Sequence, residues 1–483
     1  MEYQSTRGAA ARATAAEAIV AGLAADGGLY VPAQIPRLDA HSLLGLEYPK
    51  TAARVLAPFL TEYDPAFLLC AAQAAYAGFD GKAGELARTR PGRYYLELWH
   101  GPTCAFKDYA LQLMPRLLIE GKRLTGESCV TKILVATSGD TGKAALAGYA
   151  GLPGVKIAVF YPDDGTSEIQ RLQMATQEGE NVRVFAVKGN FDDAQTGVKR
   201  VFASAQAAEA LAQRGEKLSS ANSINWGRLA PQIAYYYYAY CKMVENDEIR
   251  MGDAVDFCVP TGNFGDILAG WYAKRMGLPV GKLICASNEN DVLTQFLSQG
   301  EYNANRPFHK TQSPSMDILV SSNLERLLFH VTQDAGQVAQ WMDELARTGR
   351  YRVPDDVLRA IREDFACASV TAPQAAGEIR RVFEGEGYLM DPHTAVASVA
   401  ADRCAREEAP CVILSTASPY KFPASVLHAL GEETPQDEFE AMRRLEDISG
   451  MRAPASLRAL QEKPVRFSRA IGKEDIAREA LAF

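Results

Sequence analysis

The chain has 483 residues, of which 47% are hydrophobic and 23% are charged. This is an ordinary globular composition, with length enough for two to four domains. The net charge of −8 argues against a nucleic acid or an anionic membrane as the main partner, although local basic side chains can still bind a small anion. Nine cysteines without a CxxC pair and six histidines without metal-ligand spacing predict reduced thiols, a cytoplasmic location and no metal site. The apolar runs are too short to cross a bilayer.

Residues 1–90 are Ala-rich and mostly helical in pattern, with an amphipathic helix expected at 15–25. A turn-rich stretch, ADGGLYVP, interrupts this pattern. The best candidate for a domain boundary is Thr-Arg-Pro-Gly at 89–92. We therefore predict an N-terminal domain of residues 1–90 and a second domain of residues 91–483.

From about residue 94 onwards, short apolar runs alternate with helical patterns, which predicts an α/β fold with a largely parallel sheet. The predicted strands are 132–136, 156–160, 183–187, 256–259, 282–286 and 411–414. The predicted helices are 143–150, 167–177, one that starts at 192, one that Asn225 caps and that runs to about 244, and one that ends near 276 before Gly277.

A single lysine, Lys107, lies between an aromatic residue and the start of a helical pattern in the segment HGPTCAFKD. A lysine that attacks an aldehyde must first lose its proton, and partial burial lowers its pKa toward that state. An isolated lysine in a helix is more often an ordinary surface residue. This segment alone therefore does not decide between the two interpretations.

The segment TGNFGD at 261–266 follows a predicted strand and opens a predicted helix. Glycines there let backbone N–H groups converge on an anion, and the helix N-terminus adds a favourable dipole. The segment has neither a GxGxxG nor a P-loop pattern, which disfavours a dinucleotide or a nucleoside triphosphate. A plain strand–turn–helix corner is the alternative.

Three further segments place polar groups at strand ends or helix starts. TSGDTG at 137–142 offers hydroxyl and amide groups to a carboxylate, or simply caps its helix. NSINWGR at 222–228 adds a guanidinium, which suits a dianionic phosphate, or is a capped helix with an exposed arginine. LSTA at 414–417 ends the last predicted strand, where side chains face the ligand crevice of a parallel sheet, unless these residues only form a turn.

In their joint order these segments resemble the fold-type-II pyridoxal-phosphate (PLP) enzymes, and within that group the longer bacterial and fungal branch of the threonine synthase family. The resemblance spans nearly the whole chain in the motifs YQSTRG, ADGGLYVP, HGPTCAFKDYA, ATSGDTGKAAL, SEIQRLQMATQEGENV, FDDAQTGVK, NSINWGR, GNFGDILAG, SPSMDILVSSNLERLLF and YLMDPHTAVA. It implies a fold-type-II α/β enzyme with a helical N-terminal domain and a small mobile α/β subdomain at about 125–220. The cofactor would lie in a cleft.

The resemblance also implies a role for each motif. Lys107 would carry the cofactor as a Schiff base and move protons, and Thr416 would hydrogen-bond the pyridine nitrogen. The substrate carboxylate would be bound by residues 138–141, and the substrate phosphate by part of NSINWGR. The implied cofactor contacts are Lys107, Gly262, Asn263, Phe264, Gly265, Asp266 and Thr416, and the implied substrate contacts are Ser138, Gly139, Asp140, Thr141, Asn222, Ser223 and Arg228.

The implied activity is the conversion of O-phospho-L-homoserine and water to L-threonine and phosphate by a cytoplasmic monomer or homodimer. One departure from the family bears on it. After the last strand the family usually has STAHPAKF, whereas this chain has Ser418 in place of His and Tyr420 in place of Ala. Three alternatives stay open: a phosphohomoserine lyase that gives 2-oxobutyrate, a β-replacing enzyme that acts on serine, and a catalytically silent PLP-binding protein.

Overall fold

Two mostly parallel sheets organise the chain in a computed structural model that describes residues 1–137, 139–163 and 166–483. The strands are β1 (Glu2–Ser5), β2 (Ala13–Thr14), β3 (Tyr30–Pro32), β4 (Glu85–Arg90), β5 (Arg93–Glu97), β6 (Val130–Ala136), β7 (Val155–Pro162), β8 (Val182–Lys188), β9 (Glu216–Ser219), β10 (Val255–Pro260), β11 (Val280–Ser287), β12 (Glu301–Asn303), β13 (Arg350–Arg352), β14 (Phe365–Ser369), β15 (Cys411–Ser415) and β16 (Ala470–Gly472). The predicted α/β fold class is confirmed.

Helices cover the faces of both sheets. They are α1 (Ala15–Ala21), α2 (Tyr48–Leu56), α3 (Pro65–Tyr76), α4 (Lys107–Leu111), α5 (Met114–Thr125), α6 (Asp140–Tyr149), α7 (Glu168–Ala175), α8 (Phe191–Ala203), α9 (Ala205–Ala212), α10 (Trp226–Leu229), α11 (Ile233–Glu245), α12 (Gly265–Met276), α13 (Val292–Gln299), α14 (Leu324–Thr332), α15 (Ala335–Thr348), α16 (Asp355–Asp364), α17 (Ala372–Glu386), α18 (Pro392–Cys404), α19 (Pro423–Leu430), α20 (Glu438–Ser449), α21 (Ala455–Arg458) and α22 (Ile476–Ala482). In the described part of the chain, none combines the length and the apolar character of a membrane span.

The first 76 residues, called the N-terminal unit below, combine α1–α3 with an antiparallel sheet in the order β2-β1-β3. The prediction of a mostly helical segment missed this sheet, because strands of two to four residues are too short to show a period of two. Helix α1 begins at a capping box formed by Thr14 and Glu17 and ends at Gly22. It is therefore shorter than the predicted 15–25.

The larger sheet has six strands in the order β14-β11-β10-β15-β5-β4. All neighbours are parallel except β4, which pairs with β5 in an antiparallel hairpin. Residues 89–92, where the sequence suggests a domain boundary, lie at the tip of that hairpin. The larger sheet therefore already begins at Glu85, and the division at residue 90 stays a prediction.

The smaller sheet has five parallel strands in the order β16-β8-β7-β6-β9. Four of them lie within the predicted subdomain at 125–220, and the edge strand β16 comes from near the C-terminus. The strands predicted at 132–136, 156–160 and 183–187 are confirmed as parts of β6, β7 and β8.

The helix predicted from Asn225 to about residue 244 is interrupted. Asn225 caps only α10, through a side-chain bond from the N–H of Gly227 at 2.8 Å. A 3₁₀ turn with Pro231 then leads into α11. Proline has no N–H to continue the helical ladder, and its ring clashes with the preceding turn, so Pro231 was the signal for this break.

Candidate functional site

Lys107 is the first residue of α4 and lies beside the end of β15. An isolated bridge joins Ala105 to Ala417, and the N–H of Phe106 donates to the carbonyl of Thr416 at 2.8 Å. The segment with the candidate lysine and the segment with Thr416 are therefore fixed against each other by backbone contacts. Thr416 itself is buried.

The amine of Lys107 is buried and faces two acceptors. Its Nζ donates to Oγ of Ser315 at 3.2 Å and lies 3.6 Å from Oδ2 of Asp140. Burial lowers the pKa of Lys107 to about 8; the Asp140 carboxylate opposes this shift, and the Lys421 and Arg228 cations add to it. The amine is thus close to deprotonation near neutral pH, as nucleophilic attack on an aldehyde requires.

Asp140 opens α6 at the carboxyl end of β6 and binds two lysines. Its Oδ1 accepts from Nζ of Lys421 at 2.5 Å and from Nε2 of Gln170 at 3.0 Å, while its Oδ2 faces Lys107. Burial alone would raise the pKa of Asp140, but the Lys421 and Lys107 ammonium groups outweigh it and hold that pKa well below its usual range. Asp140 is therefore a fixed anion between two cations.

The rest of the TSGDTG segment surrounds Asp140. Ser138 lies outside the described residues. The hydroxyl of Thr137 accepts from the N–H groups of Gly139 and Gly142 at 3.0 and 3.1 Å, and the partly buried Thr141 follows Asp140 on α6. The alternative in which Asp140 or Thr141 caps α6 is wrong, because the N-cap is Gly139; the side chain that bonds the N–H groups at this helix start is that of Thr137.

The GNFGD segment turns from β10 into α12, as its glycines predict. Phe264 caps the helix at φ 61°, and Asn263 is exposed. A Cβ on Gly262 would fall 2.8 Å from the carbonyl oxygen of Ser315, and one on Gly265 would fall 3.1 Å from Oγ of Ser223. Both glycines therefore allow a backbone approach that no other residue permits without displacement.

The side chain of Asp266, the last residue of GNFGD, is held by two tyrosine hydroxyls. Its Oδ1 accepts hydrogen bonds from the hydroxyls of Tyr235 and Tyr236 at 2.5 and 3.0 Å. Burial raises the pKa of Asp266 to about 6, although both tyrosine bonds and the nearby Arg228 oppose the rise. Any contact of Asp266 with a phosphate would have to come from its backbone N–H.

The NSINWGR segment adds a buried guanidinium. Arg228 is 4% exposed, and its Nε and Nη1 have no hydrogen-bond partner among the described residues. Burial lowers the pKa of Arg228 to about 10. Ser223 accepts from Nδ2 of Asn323 at 2.7 Å, whereas Asn222 is exposed. The alternative of an exposed arginine is therefore wrong. A phosphate could accept hydrogen bonds from the N–H groups of this buried guanidinium that lack a partner in the described part of the chain.

Three further residues belong to the site, Ser315, Asp391 and His393. They lie in motifs that carried the family resemblance, but the sequence analysis did not predict them as site residues. Ser315, in SPSMD, donates from Oγ to Oδ2 of Asp140 at 3.2 Å and from its N–H to Nε2 of His393 at 3.2 Å. Nδ1 of His393 lies 2.5 Å from the Asp391 carboxylate. Since Nε2 accepts, Nδ1 carries the proton, and the Asp391–His393 pair fixes Ser315 beside Lys107.

The two residues that depart from the family motif lie between Thr416 and Lys421 in the chain. Ser418 is fully buried; its N–H donates to the carbonyl of Cys104 at 3.1 Å and its hydroxyl caps a 3₁₀ turn. The hydroxyl of Tyr420 donates to the carbonyl of Met451 at 2.6 Å and lies 2.8 Å from Oγ of Ser449. The Tyr420 hydroxyl is therefore engaged by residues 449–451.

The site thus combines a buried amine of lowered pKa with backbone and guanidinium donors for anions, the groups that a phosphorylated aldehyde cofactor requires. A family model described as pyridoxal-phosphate dependent enzyme matches residues 82–416. The chain is accordingly a PLP-dependent enzyme of fold type II. Two more specific models flank and overlap this match: threonine synthase N terminus at residues 2–76 and threonine synthase, C-terminal, at residues 394–478.

Relatives that match most of this chain agree with these models. A threonine synthase of Pseudomonas aeruginosa is 42% identical over 436 residues, which cover 88% of this chain and 90% of that protein. A human protein named threonine synthase-like 1 is 40% identical over 86% of this chain, which spans 58% of its length. A crystal structure of PLP-bound threonine synthase from Brucella melitensis matches with a TM-score of 0.89 and 38% identity, covering 100% of this chain and 99% of that one. The chain belongs to the threonine synthase family.

Proposed function

We propose that this enzyme converts O-phospho-L-homoserine and water to L-threonine and phosphate, with Lys107 as the residue that binds the cofactor covalently. The observation that carries the proposal is that two separate segments suited to bind anions lie near the amine of Lys107. The GNFGD turn suits the cofactor phosphate, and the buried guanidinium of Arg228 suits a second phosphate, that of the substrate.

The residues present fit PLP. Gly262 and Gly265 let the turn into α12 pack closely against Ser315 and Ser223, and at the start of that helix the backbone N–H groups and the helix dipole favour a phosphate. Thr416, at the end of β15, would place a neutral hydroxyl at the pyridine nitrogen and leave that nitrogen largely unprotonated. Lys107 lies next to Thr416 in the fold, as one cofactor that contacts both would require.

Bound PLP supplies the electron sink that makes loss of the substrate's α proton possible. Lys107 takes that proton at Nζ and returns it later, and its pKa of about 8 suits both steps. Ser315 orients Nζ, while Asp140 balances the charges of Lys107 and Lys421. Arg228 binds the leaving phosphate together with Asn222 and Ser223, and residues 138–141 hold the substrate carboxylate.

The remaining expectations stay part of the proposal. The charge and cysteine pattern favour a cytoplasmic enzyme, and both a monomer and a homodimer are compatible with the chain. Two alternatives from the same class differ in product or substrate: a lyase would give 2-oxobutyrate, and a β-replacing enzyme would use serine.

A direct test is to incubate purified protein with phosphohomoserine and follow phosphate and threonine. Activity should require PLP, and serine should not replace the substrate. Borohydride reduction should fix the cofactor on Lys107, and Lys107→Ala should abolish turnover. A reduced adduct on another lysine in a peptide map would refute the assignment of Lys107, and absence of phosphate release would refute the proposed reaction.

A further inference from the structure

The N-terminal unit packs directly against the NSINWGR segment. The Trp226 ring lies 5.5 Å from the ring centroid of Tyr3 and 5.4 Å from that of Phe59. Nδ2 of Asn225 donates to the carbonyl of Ile19 at 2.9 Å. The helix start that presents Arg228 thus rests on side chains and backbone of the N-terminal unit.

The same unit binds the start of α14 through charged groups. Nε and Nη2 of Arg7 donate to the two carboxylate oxygens of Glu325, both at 3.0 Å. The hydroxyl of Thr6 adds a bond to Glu325 at 2.6 Å, and Nε of Arg326 donates to the carbonyl of Tyr30 at 3.0 Å. The Glu325 side chain is 6% exposed and that of Arg7 is 26% exposed, so the carboxylate side of this two-bond ion pair is shielded from water.

The start of α14 in turn contacts both segments proposed to bind phosphates. Arg326 donates from Nη1 to the carbonyl of Ser223 at 2.9 Å and from Nη2 to that of Ile224 at 2.6 Å. Nδ2 of Asn323 donates to Oγ of Ser223 at 2.7 Å and to the carbonyl of Asn263 at 3.0 Å. One short turn therefore links NSINWGR, GNFGD and the N-terminal unit.

We propose that the N-terminal unit positions the anion-binding part of the site, and that Arg7, Glu325 and Arg326 are the positioning residues through which it acts. Arg326 is fully buried, and its contacts with Ser223 and Ile224 use backbone carbonyls, so it fixes main-chain geometry. The identity of the bound anions rests on the proposed function. The coupling between the N-terminal unit and the two segments does not.

The test compares Arg7→Leu and Glu325→Gln with Arg12→Leu as a matched control. Arg12 pairs with Glu2 within the same unit, but these side chains are 62% and 65% exposed. Hydrogen exchange, followed by mass spectrometry on the full-length apo-protein, should quicken in peptides that cover GNFGD and NSINWGR in the first two variants only. The dissociation constant for PLP should rise about five- to tenfold in these variants, with the control unchanged.

Arg7→Lys keeps the charge but not the two-bond geometry, so it should fall between wild type and Arg7→Leu in both measurements. Unchanged exchange in GNFGD and NSINWGR for Arg7→Leu and Glu325→Gln would overturn the proposal, as would an equal change in Arg12→Leu. A wild-type protein that shows this coupling but does not bind PLP would refute the proposed function and leave the positioning role intact.

Discussion

Replacing Lys421 by Met should raise the pKa of Lys107. The two ammonium nitrogens lie on different oxygens of the Asp140 carboxylate, at 2.5 and 3.6 Å, and we take about 6 Å as their separation. At an effective dielectric constant of about 20, two like charges at that distance repel by about 3 kcal/mol, equivalent to about two pKa units. Without this repulsion the pKa of Lys107, now about 8, should rise by about one to two units.

The assay is the rate at which apo-protein combines with PLP, measured by absorbance as a function of pH. Only the neutral amine reacts, so the rate rises with pH through the pKa of Lys107. A rise of one unit in that pKa would move the midpoint upward by one unit and lower the rate at pH 8 about fivefold. Lys50→Met, at an exposed lysine of α2, controls for loss of a positive charge. A midpoint that stays in place, or that moves downward, would refute the electrostatic reasoning.

Three other variants test the two segments proposed to bind phosphates and the surroundings of Lys107. Arg228→Ala should lower kcat/KM for phosphohomoserine about thirty- to thousandfold, from the loss of about 2–4 kcal/mol of phosphate binding, with normal cofactor absorbance; loss of cofactor with unchanged substrate use would reverse the two phosphate assignments. Ser315→Ala should slow PLP capture by Lys107 and lower kcat about tenfold with little change in KM, and an unchanged kcat would count against its role. Gly265→Ala would press a methyl group against Ser223 and should weaken PLP binding in a titration of the apo-protein, whereas unchanged affinity would mean that the turn can widen.

The sequence predicts the parts of the site that lie between a strand and the next helix. Lys107 at a helix start, TSGDTG after β6 and GNFGD after β10 all have the local context that their composition indicates. The burial of Arg228 was not predictable in this way, because it depends on how α10 packs against α1, α4, α5 and α12, which come from distant parts of the chain. The break at Pro231 was predictable but was missed.

Ser315 and His393 show why the remaining site residues were not found. They are 78 residues apart, one in a 3₁₀ turn and one at the start of α18, and neither follows a strand directly. Their motifs carried the family resemblance, yet no local pattern indicates that they meet. Only the tertiary fold brings the Asp391–His393 pair to the backbone of Ser315 and so to Lys107.

Which product forms depends on whether the enzyme can add water without the histidine that the family usually has at the position of Ser418. After phosphate leaves, threonine forms only if water adds to the β carbon before the intermediate is released; early release gives 2-oxobutyrate. General acid–base assistance to that addition is typically worth ~10²–10⁴-fold, and a serine hydroxyl cannot replace an imidazole as a proton acceptor. The Ser418 hydroxyl accepts from the N–H of Tyr420 as the cap of a turn, so it keeps one proton that it can donate.

We nevertheless expect threonine as the main product, because the other motifs proposed to bind the substrate, TSGDTG and NSINWGR, are intact. His393 does not replace the missing imidazole as a proton acceptor, because its Nε2 accepts from the N–H of Ser315 and its Nδ1 is held by Asp391. Chromatography of the products from phosphohomoserine should show mostly threonine. A majority of 2-oxobutyrate from the wild-type enzyme would contradict the synthase reaction in favour of the lyase. In that case Ser418→His should restore threonine, since the lost proton acceptor would then be the cause of the leak.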